Sequence, residues 1–344
     1  MTRTLAVRLD ALGDVLVTGP AIRSLATTST HLTLLAGPRG EGAAKLLPGV
    51  DDIVVWACPW IEPDPLSVAE RDIQQVVGRL RGRFDRAVIF TSYHQDPLPT
   101  ALVLRMAGIP WIGAISEEFP GGLLNLRHQV EELVPEPERA LSLALASGGR
   151  LAPDDDGRLA IRGPLPATPV ERPYVVLHPG TSVEARAWAP ERFAALAELL
   201  ADDCGRTVVV TGGPAEAPLT KLVAGERAID LGGRTGLRAL AGVLAGADVV
   251  VACNTGPAHL AAAVGTPVVS LFAPTVPAEK WAPYGVPRIV LGDQWAPCAG
   301  SRATTCPVPG HPCLNDVRVE EVADAVGRLI AEPQSPLARP KELT

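Results

Sequence analysis

Aromatic side chains make up only 4% of the 344 residues and charged ones 20%, while 47% are hydrophobic. A core with so few rings has to be assembled from alanine, valine and leucine, the composition usual where parallel sheets are covered by helices. No lysine- or arginine-rich stripe occurs, and a net charge of −7 repels a phosphate backbone at long range, which excludes a nucleic-acid partner. No apolar run approaches the roughly 18 to 20 residues of a membrane span. The first apolar run, residues 5–9, is interrupted by Arg8 and followed by Asp10, so it reads as a strand rather than a signal sequence. No G-x-G-x-x-G follows any strand, which ranks a dinucleotide oxidoreductase low. Repeats of solenoid period and low-complexity tracts are also missing. What remains is a globular α/β chain expected in the cytoplasm. Its six cysteines are then expected as free thiols, with Cys58, Cys204 and Cys253 reading as small core residues.

Short apolar runs alternate with amphipathic ones through the first half. Residues 5–9, 32–36, 53–56 and 87–90 read as strands, and 20–26, 42–47 and 68–81 as helices, the last carrying Val76, Val77 and Leu80. The pattern weakens over 117–172, apart from a helix expected at 138–146 and a linker rich in Pro, Asp and Gly at 153–173. A second series follows, with strands at 174–178, 207–211, 228–231, 249–253 and 267–272. Helices at 190–201, 218–223, 236–245 and 257–264 alternate with them. Two such series predict two Rossmann-like domains with parallel sheets facing a cleft, 1–165 and 166–330, and a tail at 331–344.

Asn254-Thr255-Gly256-Pro257-Ala258-His259-Leu260 lies where a buried strand gives way to an alanine-rich helix. Unpaired N–H groups at such a helix start, with the positive end of its dipole, suit a phosphate, and the small residues Thr255 and Gly256 let a diphosphate approach. Most strand-Gly-helix turns in doubly wound sheets bind nothing, so this turn needs support from elsewhere.

Three further turns fall at strand ends, the edge where open α/β sheets bind ligands. They are Asp10-Ala11-Leu12-Gly13-Asp14, His178-Pro179-Gly180-Thr181-Ser182 and Thr211-Gly212-Gly213-Pro214-Ala215-Glu216. Asp14 reads either as a general base for an attacking hydroxyl or as the N-cap of the helix that carries Ile22 and Leu25. Arg186 is either a clamp on a leaving diphosphate or a solvated loop charge. Glu216 either accepts ribose hydroxyls or sits in the first turn of a helix. His94, after the strand at 87–90, is an acceptor-side candidate whose plain alternative is a solvated loop histidine. Trp188 and Trp281 read as core residues or as flanks of a donor.

Taken in order, these motifs resemble those of glycosyltransferase family 9, the lipopolysaccharide heptosyltransferases, over residues from Arg8 to about Val326. The resemblance rests on Leu12-Gly13-Asp14, His178-Pro179-Gly180, Arg186-Ala187-Trp188, Gly212-Gly213 with Glu216, and the Asn254 turn. Gly265-Thr266-Pro267 and Phe272-Ala273-Pro274-Thr275 complete it. It implies a GT-B fold, inversion at the anomeric carbon, and an ADP-heptose or similar nucleotide-sugar donor. Asp14 becomes the base and Gly13 its acceptor-side neighbour. Thr181, Ser182 and Arg186 become the donor-phosphate segment and Glu216 the acid on the nucleoside. Gly212, Gly213, Asn254, Thr255, Gly256, Pro257 and His259 complete the donor site. The partners implied are a nucleotide sugar and a glycan, glycolipid or small-molecule acceptor. No cofactor is required, and a role for a divalent metal stays open. A lipid-linked acceptor would imply a peripheral encounter at the inner face of the membrane, although no basic amphipathic anchor is visible.

Two departures stand out: Arg186 where these enzymes usually have Lys, and Asn254 where they usually have Asp before Thr-Gly. Both leave the donor sugar open. A nucleotide-sugar epimerase or hydrolase of the same fold, or a non-catalytic nucleotide-sugar binding protein, would share most of the pattern. Cys298, Cys306, His311 and Cys313 form the one sequence-local set able to hold zinc, although the short C-x₂₋₄-C knuckle of structural sites is absent. Loop packing is the alternative.

Overall fold

The computed structural model describes residues 2–65, 67–203 and 205–331. The chain divides into two compact units, one ending at Arg162 and the other beginning at Gly163. The first unit runs β1 (Arg3–Arg8), α1 (Leu12–Val17), α2 (Gly19–Ala26), β2 (His31–Ala36), α3 (Glu41–Ala44), β3 (Asp52–Val55), α4 (Glu70–Leu80), β4 (Arg86–Ile89), α5 (Leu98–Met106), β5 (Trp111–Ile115), β6 (Leu126–His128) and α6 (Glu136–Ala146). The second runs β7 (Tyr174–His178), α7 (Pro190–Asp203), β8 (Thr207–Val210), α8 (Ala217–Ala224), β9 (Ile229–Asp230), α9 (Leu237–Gly246), β10 (Val249–Cys253), α10 (Gly256–Ala263) and β11 (Val268–Leu271). It closes with α11 (Ala278–Trp281), β12 (Arg288–Leu291), α12 (Pro312–Asn315) and α13 (Val319–Ala331). From the expected tail only Ala331 lies within the described residues, and Cys204 lies outside them.

Each unit holds one six-stranded parallel sheet, in the orders β3-β2-β1-β4-β5-β6 and β12-β11-β10-β7-β8-β9. Numbered within its own unit, each sheet has the doubly wound 3-2-1-4-5-6 order, with its switch point between the first and fourth strands. The central strands explain why: Tyr-Val-Val-Leu-His of β7 and Val-Val-Val-Ala-Cys of β10 are buried along their whole length, as strands covered on both faces must be.

Alternation reads these buried strands well and the short elements poorly. The expected turn at 10–14 in fact ends in the helix α1, whose N-cap Ala11 offers no side-chain cap. Elements α5, β5, β6, α11, β12, α12 and α13 were not expected, although the apolar residues of α13 recur at helical spacing. Helix α13 closes the second core by placing Val322, Ala325, Val326 and Leu329 on one face, in the apolar cluster with Phe193, Leu196, Val249 and Leu271.

Helix α9 carries a glycine where helix propensity disfavours one. A Cβ at Gly242 would overlap the carbonyl oxygen of Pro166, so this helix packs backbone against backbone. Gly327 in α13 faces open space within 4 Å. Gly242→Ala is therefore expected to lower the melting temperature, at a cost of about 1–3 kcal/mol from overpacking. Gly327→Ala is expected to raise it, by roughly 0.5–1 kcal/mol of helix propensity. Thermal melts of the two variants beside the wild type check both signs.

Candidate active site

At the switch point of the first sheet, β1 lies between β2 and β4, and the loops leaving β1 and β4 diverge. Asp14 sits there in the first turn of α1, half-buried, so it does not cap α2 and that alternative is set aside. Gly13 beside it is buried. Oxygen Oδ1 of Asp14 accepts from Arg8 Nη2 at 2.9 Å and from Ser92 Oγ at 3.2 Å. Arg8 Nε meets Asp10 Oδ2 at 3.1 Å, and Gln95 Nε2 donates to Asp10 Oδ1 at 2.6 Å. Burial raises the Asp10 carboxyl above its ordinary range, and the Arg8 charge opposes that rise. Adjacent lies a cavity of 230 Å³ lined by Tyr93, His94, Gln95, Ser116, Glu117 and Arg139. His94 is exposed and stacks edge-on to Tyr93 with ring centroids 5.2 Å apart.

In the second sheet the switch point falls between β7 and β10. The β7 turn carries Thr181, half-buried, and Ser182, exposed; Val183 N–H donates to Thr181 Oγ1 at 3.3 Å, which closes the turn. Arg186 ends a 3₁₀ turn at Glu184–Arg186 and is half-buried. Glu216 is held by Gly213 N–H, which donates to its Oε2 at 2.6 Å. A Cβ at Gly180 would overlap the Glu216 carboxylate, and one at Gly212 would lie 2.6 Å from Thr220 Cγ2. The glycines of both turns are therefore what lets this carboxylate lie across the end of β7. His178 Nδ1 is 3.0 Å from Thr211 Oγ1, and its Nε2 is 4.0 Å from Glu216 Oε2.

The Asn254 turn sits at the end of β10. Helix α10 starts at Gly256 with Thr255 as N-cap and Pro257 in its first turn, leaving N–H groups of that turn without helical partners. Asn254 is 5% exposed, and its Nδ2 has no hydrogen-bond partner among the described residues, an orphan donor of the kind a ligand oxygen satisfies. His259 is buried on α10, its ring 6.3 Å from that of Trp281. Trp188 belongs to the core, edge-on to Phe193 at 4.9 Å.

The Cys/His set is not a ligand sphere. Among the described residues no three His, Cys, Asp or Glu side chains are grouped to hold a metal ion. Cys298 and Cys313 are buried in the apolar core cluster, and burial pushes the Cys313 thiol up to about 12. Cys306 Sγ donates to Val308 O at 3.4 Å, and His311 Nε2 lies 3.2 Å from Ala185 O.

A sequence model of glycosyltransferase family 9 (heptosyltransferase) matches residues 75–310. The chain belongs to this family. Lipopolysaccharide heptosyltransferase 1 of Salmonella typhimurium is 27% identical over 291 residues, covering 80% of this chain and 89% of that protein. Lipopolysaccharide heptosyltransferase 1 of Pseudomonas aeruginosa is 36% identical over 152 residues, 43% of this chain and 42% of that protein. Among solved structures, E. coli heptosyltransferase WaaC with ADP-2-deoxy-2-fluoro heptose superposes with a TM-score of 0.71 at 23% identity, covering 95% of this chain and 99% of that one. The two Rossmann-like units are those of the GT-B fold, and among the described residues no helix is long and apolar enough to cross a membrane.

In this family 9 glycosyltransferase the sequence motifs singled out the residues at both strand edges but not their supports. Arg8, Ser92, Gln95 and Glu136 gather around Asp14 from segments far apart in the chain, which leaves no local signal. His178 was visible only as part of a turn.

Burial lowers the His178 imidazole to about 4 from its ordinary 6.5, against the opposing pull of Glu216. The unfolded chain then binds more protons than the folded one throughout that window, so stability is full above it and falls as pH drops through it. His178→Gln is expected to lose less stability than the wild type between pH 7 and pH 4.5, by on the order of 1–3 kcal/mol. Urea midpoints at the two pH values give the difference.

Proposed function

We propose that this chain transfers a sugar, heptose or a close relative, from a nucleoside-diphosphate donor to a hydroxyl of a glycan or glycolipid acceptor, inverting the anomeric centre. The observation that carries the reading is that the strand-end edge of one sheet presents a fixed carboxylate, Asp14, and the strand-end edge of the other a helix start, an arginine and a second carboxylate, Glu216. The ADP-heptose-type ligand of the E. coli relative supports an ADP-linked donor. Here the Glu216 carboxylate accepts the ribose hydroxyls, and the first-turn N–H groups of α10, with Arg186, Thr181 and Ser182, hold the diphosphate. The Asn254 Nδ2 donor lies in the same turn and suits a phosphate or sugar oxygen. As the bond to the anomeric carbon breaks, charge grows on the departing diphosphate and these donors stabilise it.

On the first unit, Asp14 takes the proton of the acceptor hydroxyl as its oxygen attacks the anomeric carbon. The 230 Å³ cavity lined by His94 and by Gln95, the partner of Asp10, is where the acceptor sugar binds. Since the base and the diphosphate site belong to different units, transfer requires the acceptor held by one to reach the donor held by the other. An acceptor anchored in lipid would place the enzyme at the cytoplasmic face of a membrane as a peripheral visitor. No cofactor is needed by this chemistry.

Two measurements test it. In a thermal-shift screen over ADP-, GDP-, UDP- and dTDP-sugars, the ADP-sugar is expected to give the largest rise, about 2.7 kcal/mol of stabilisation at 100 times its Kd. Asp14→Asn is expected to keep that shift while kcat falls about 10²–10⁴-fold, the usual worth of a general base. Donor consumed at the same rate without acceptor would instead identify an epimerase or hydrolase.

A further inference from the structure

Arg8 is a large cationic side chain in a place where cations are costly. It is 1% exposed at the carboxyl end of β1, the strand that borders the switch point. An uncompensated guanidinium there would be prohibitive, and one matched by good partners still stabilises a fold little, so its retention asks for another reason. Its three nitrogens point to three different carboxylates: Nε to Asp10 at 3.1 Å, Nη2 to Asp14 at 2.9 Å and Nη1 towards Glu136 at 4.0 Å. Nη2 also donates to Ser92 Oγ at 2.9 Å, and Ser92 Oγ in turn meets Asp14 Oδ1 at 3.2 Å.

The network is anchored on every side. Gln95 binds Asp10 through Nε2 and receives Ser92 N–H on Oε1 at 3.0 Å, which fixes the loop after β4 against the loop after β1. Arg139 lies 3.8 Å from Glu136 on α6 and donates to Thr91 O at 2.5 Å. Both contacts on Asp14 from Arg8 and Ser92 fall on the same oxygen, Oδ1.

We propose that Arg8, seconded by Ser92, is the positioning residue of the transfer reaction: it pins Oδ1 of Asp14 so that Oδ2 is left directed at the acceptor hydroxyl. The inference rests on the assignment of Asp14 as the base. A carboxylate at the start of a six-residue helix has free rotation about its own side-chain bonds, and two donors on one oxygen remove that freedom. The planar fork matters as much as the charge, because it meets Asp10 from Nε and Asp14 with Ser92 from Nη2, whereas an ammonium would have to reach all three from one nitrogen. Arg8 touches neither substrate in this scheme and acts only through Asp14.

The test is steady-state kinetics on full-length Arg8→Met, Arg8→Lys, Ser92→Ala and Asp14→Asn, with donor-induced thermal shifts for each. Asp14→Asn is read first, since normal turnover in that variant removes the base assignment and this inference with it. Given an inactive Asp14→Asn, Arg8→Met is expected to lose about 10²-fold or more in kcat, the scale of a misplaced catalytic group, with donor KM and thermal shift unchanged. Arg8→Lys is expected to recover part of that loss. Ser92→Ala, which deletes one of the two contacts on Oδ1, is expected to lose several-fold in kcat alone. Should Arg8→Met fail to fold, Arg8→Lys and Ser92→Ala decide. Wild-type kcat in Ser92→Ala and Arg8→Lys overturns the proposal while leaving Asp14 as base. So does a loss in which donor KM and melting temperature move together with kcat and lysine restores nothing.

Discussion

Parallel strands end on one edge. That constraint organises this protein, because each doubly wound sheet delivers the carboxyl ends of its strands, with their loops and helix starts, to a single line of the surface. At the switch point the loops from the first and fourth strands turn away from each other and leave room for a ligand. In the first sheet this brings Asp14, from the β1 loop, against Ser92, from the β4 loop. In the second it sets the Thr181 turn after β7 beside the Asn254 turn after β10. The same topology, used twice, offers a carboxylate in one place and a helix start with unpartnered first-turn N–H groups in the other.

Polar groups at such an edge must be held without being neutralised, and the two units solve this differently. Asp14 is held by charge, through a buried arginine that it shares with Asp10 and Glu136. Glu216 is held by geometry. Two glycine turns withdraw their side chains to make room for it, and the N–H of Gly213 fixes one of its oxygens. His178 beneath it stays neutral through burial and adds a hydrogen bond to Thr211 without competing for the carboxylate's charge. A charged partner there would neutralise Glu216, whereas a backbone donor leaves it half-exposed and charged.

How much of this was legible depends on how far apart the cooperating residues lie in the chain. Fully buried strands such as β7 and β10 announce themselves, because burial on both faces demands an unbroken apolar run. The site turns were legible too, since glycine, proline and small polar residues cluster where a strand stops. Helix α1 was not, being six residues long with no side-chain cap. The network around Asp14 was invisible for a stricter reason. Arg8 and Ser92 are separated by 84 residues, and Glu136 sits in an acidic, proline-containing stretch that reads as surface yet is 1% exposed. Cys298 and Cys313 mislead in the opposite sense: their closeness in sequence suggested a ligand set, while their side chains turn into the core of the second unit.

The two departures from the family pattern now have physical settings. Asn254 is buried at the end of β10, where a carboxylate would carry a desolvation cost and would repel a diphosphate arriving at the start of α10. On the proposed reading the N–H donor that the amide gains, and the positive helix end it leaves uncompensated, both favour a diphosphate. On the same reading Arg186 acts in the same direction, since a planar fork meets two phosphate oxygens where an ammonium meets them as a point charge. On that reading both substitutions strengthen the hold on the diphosphate and leave the choice of sugar to other contacts.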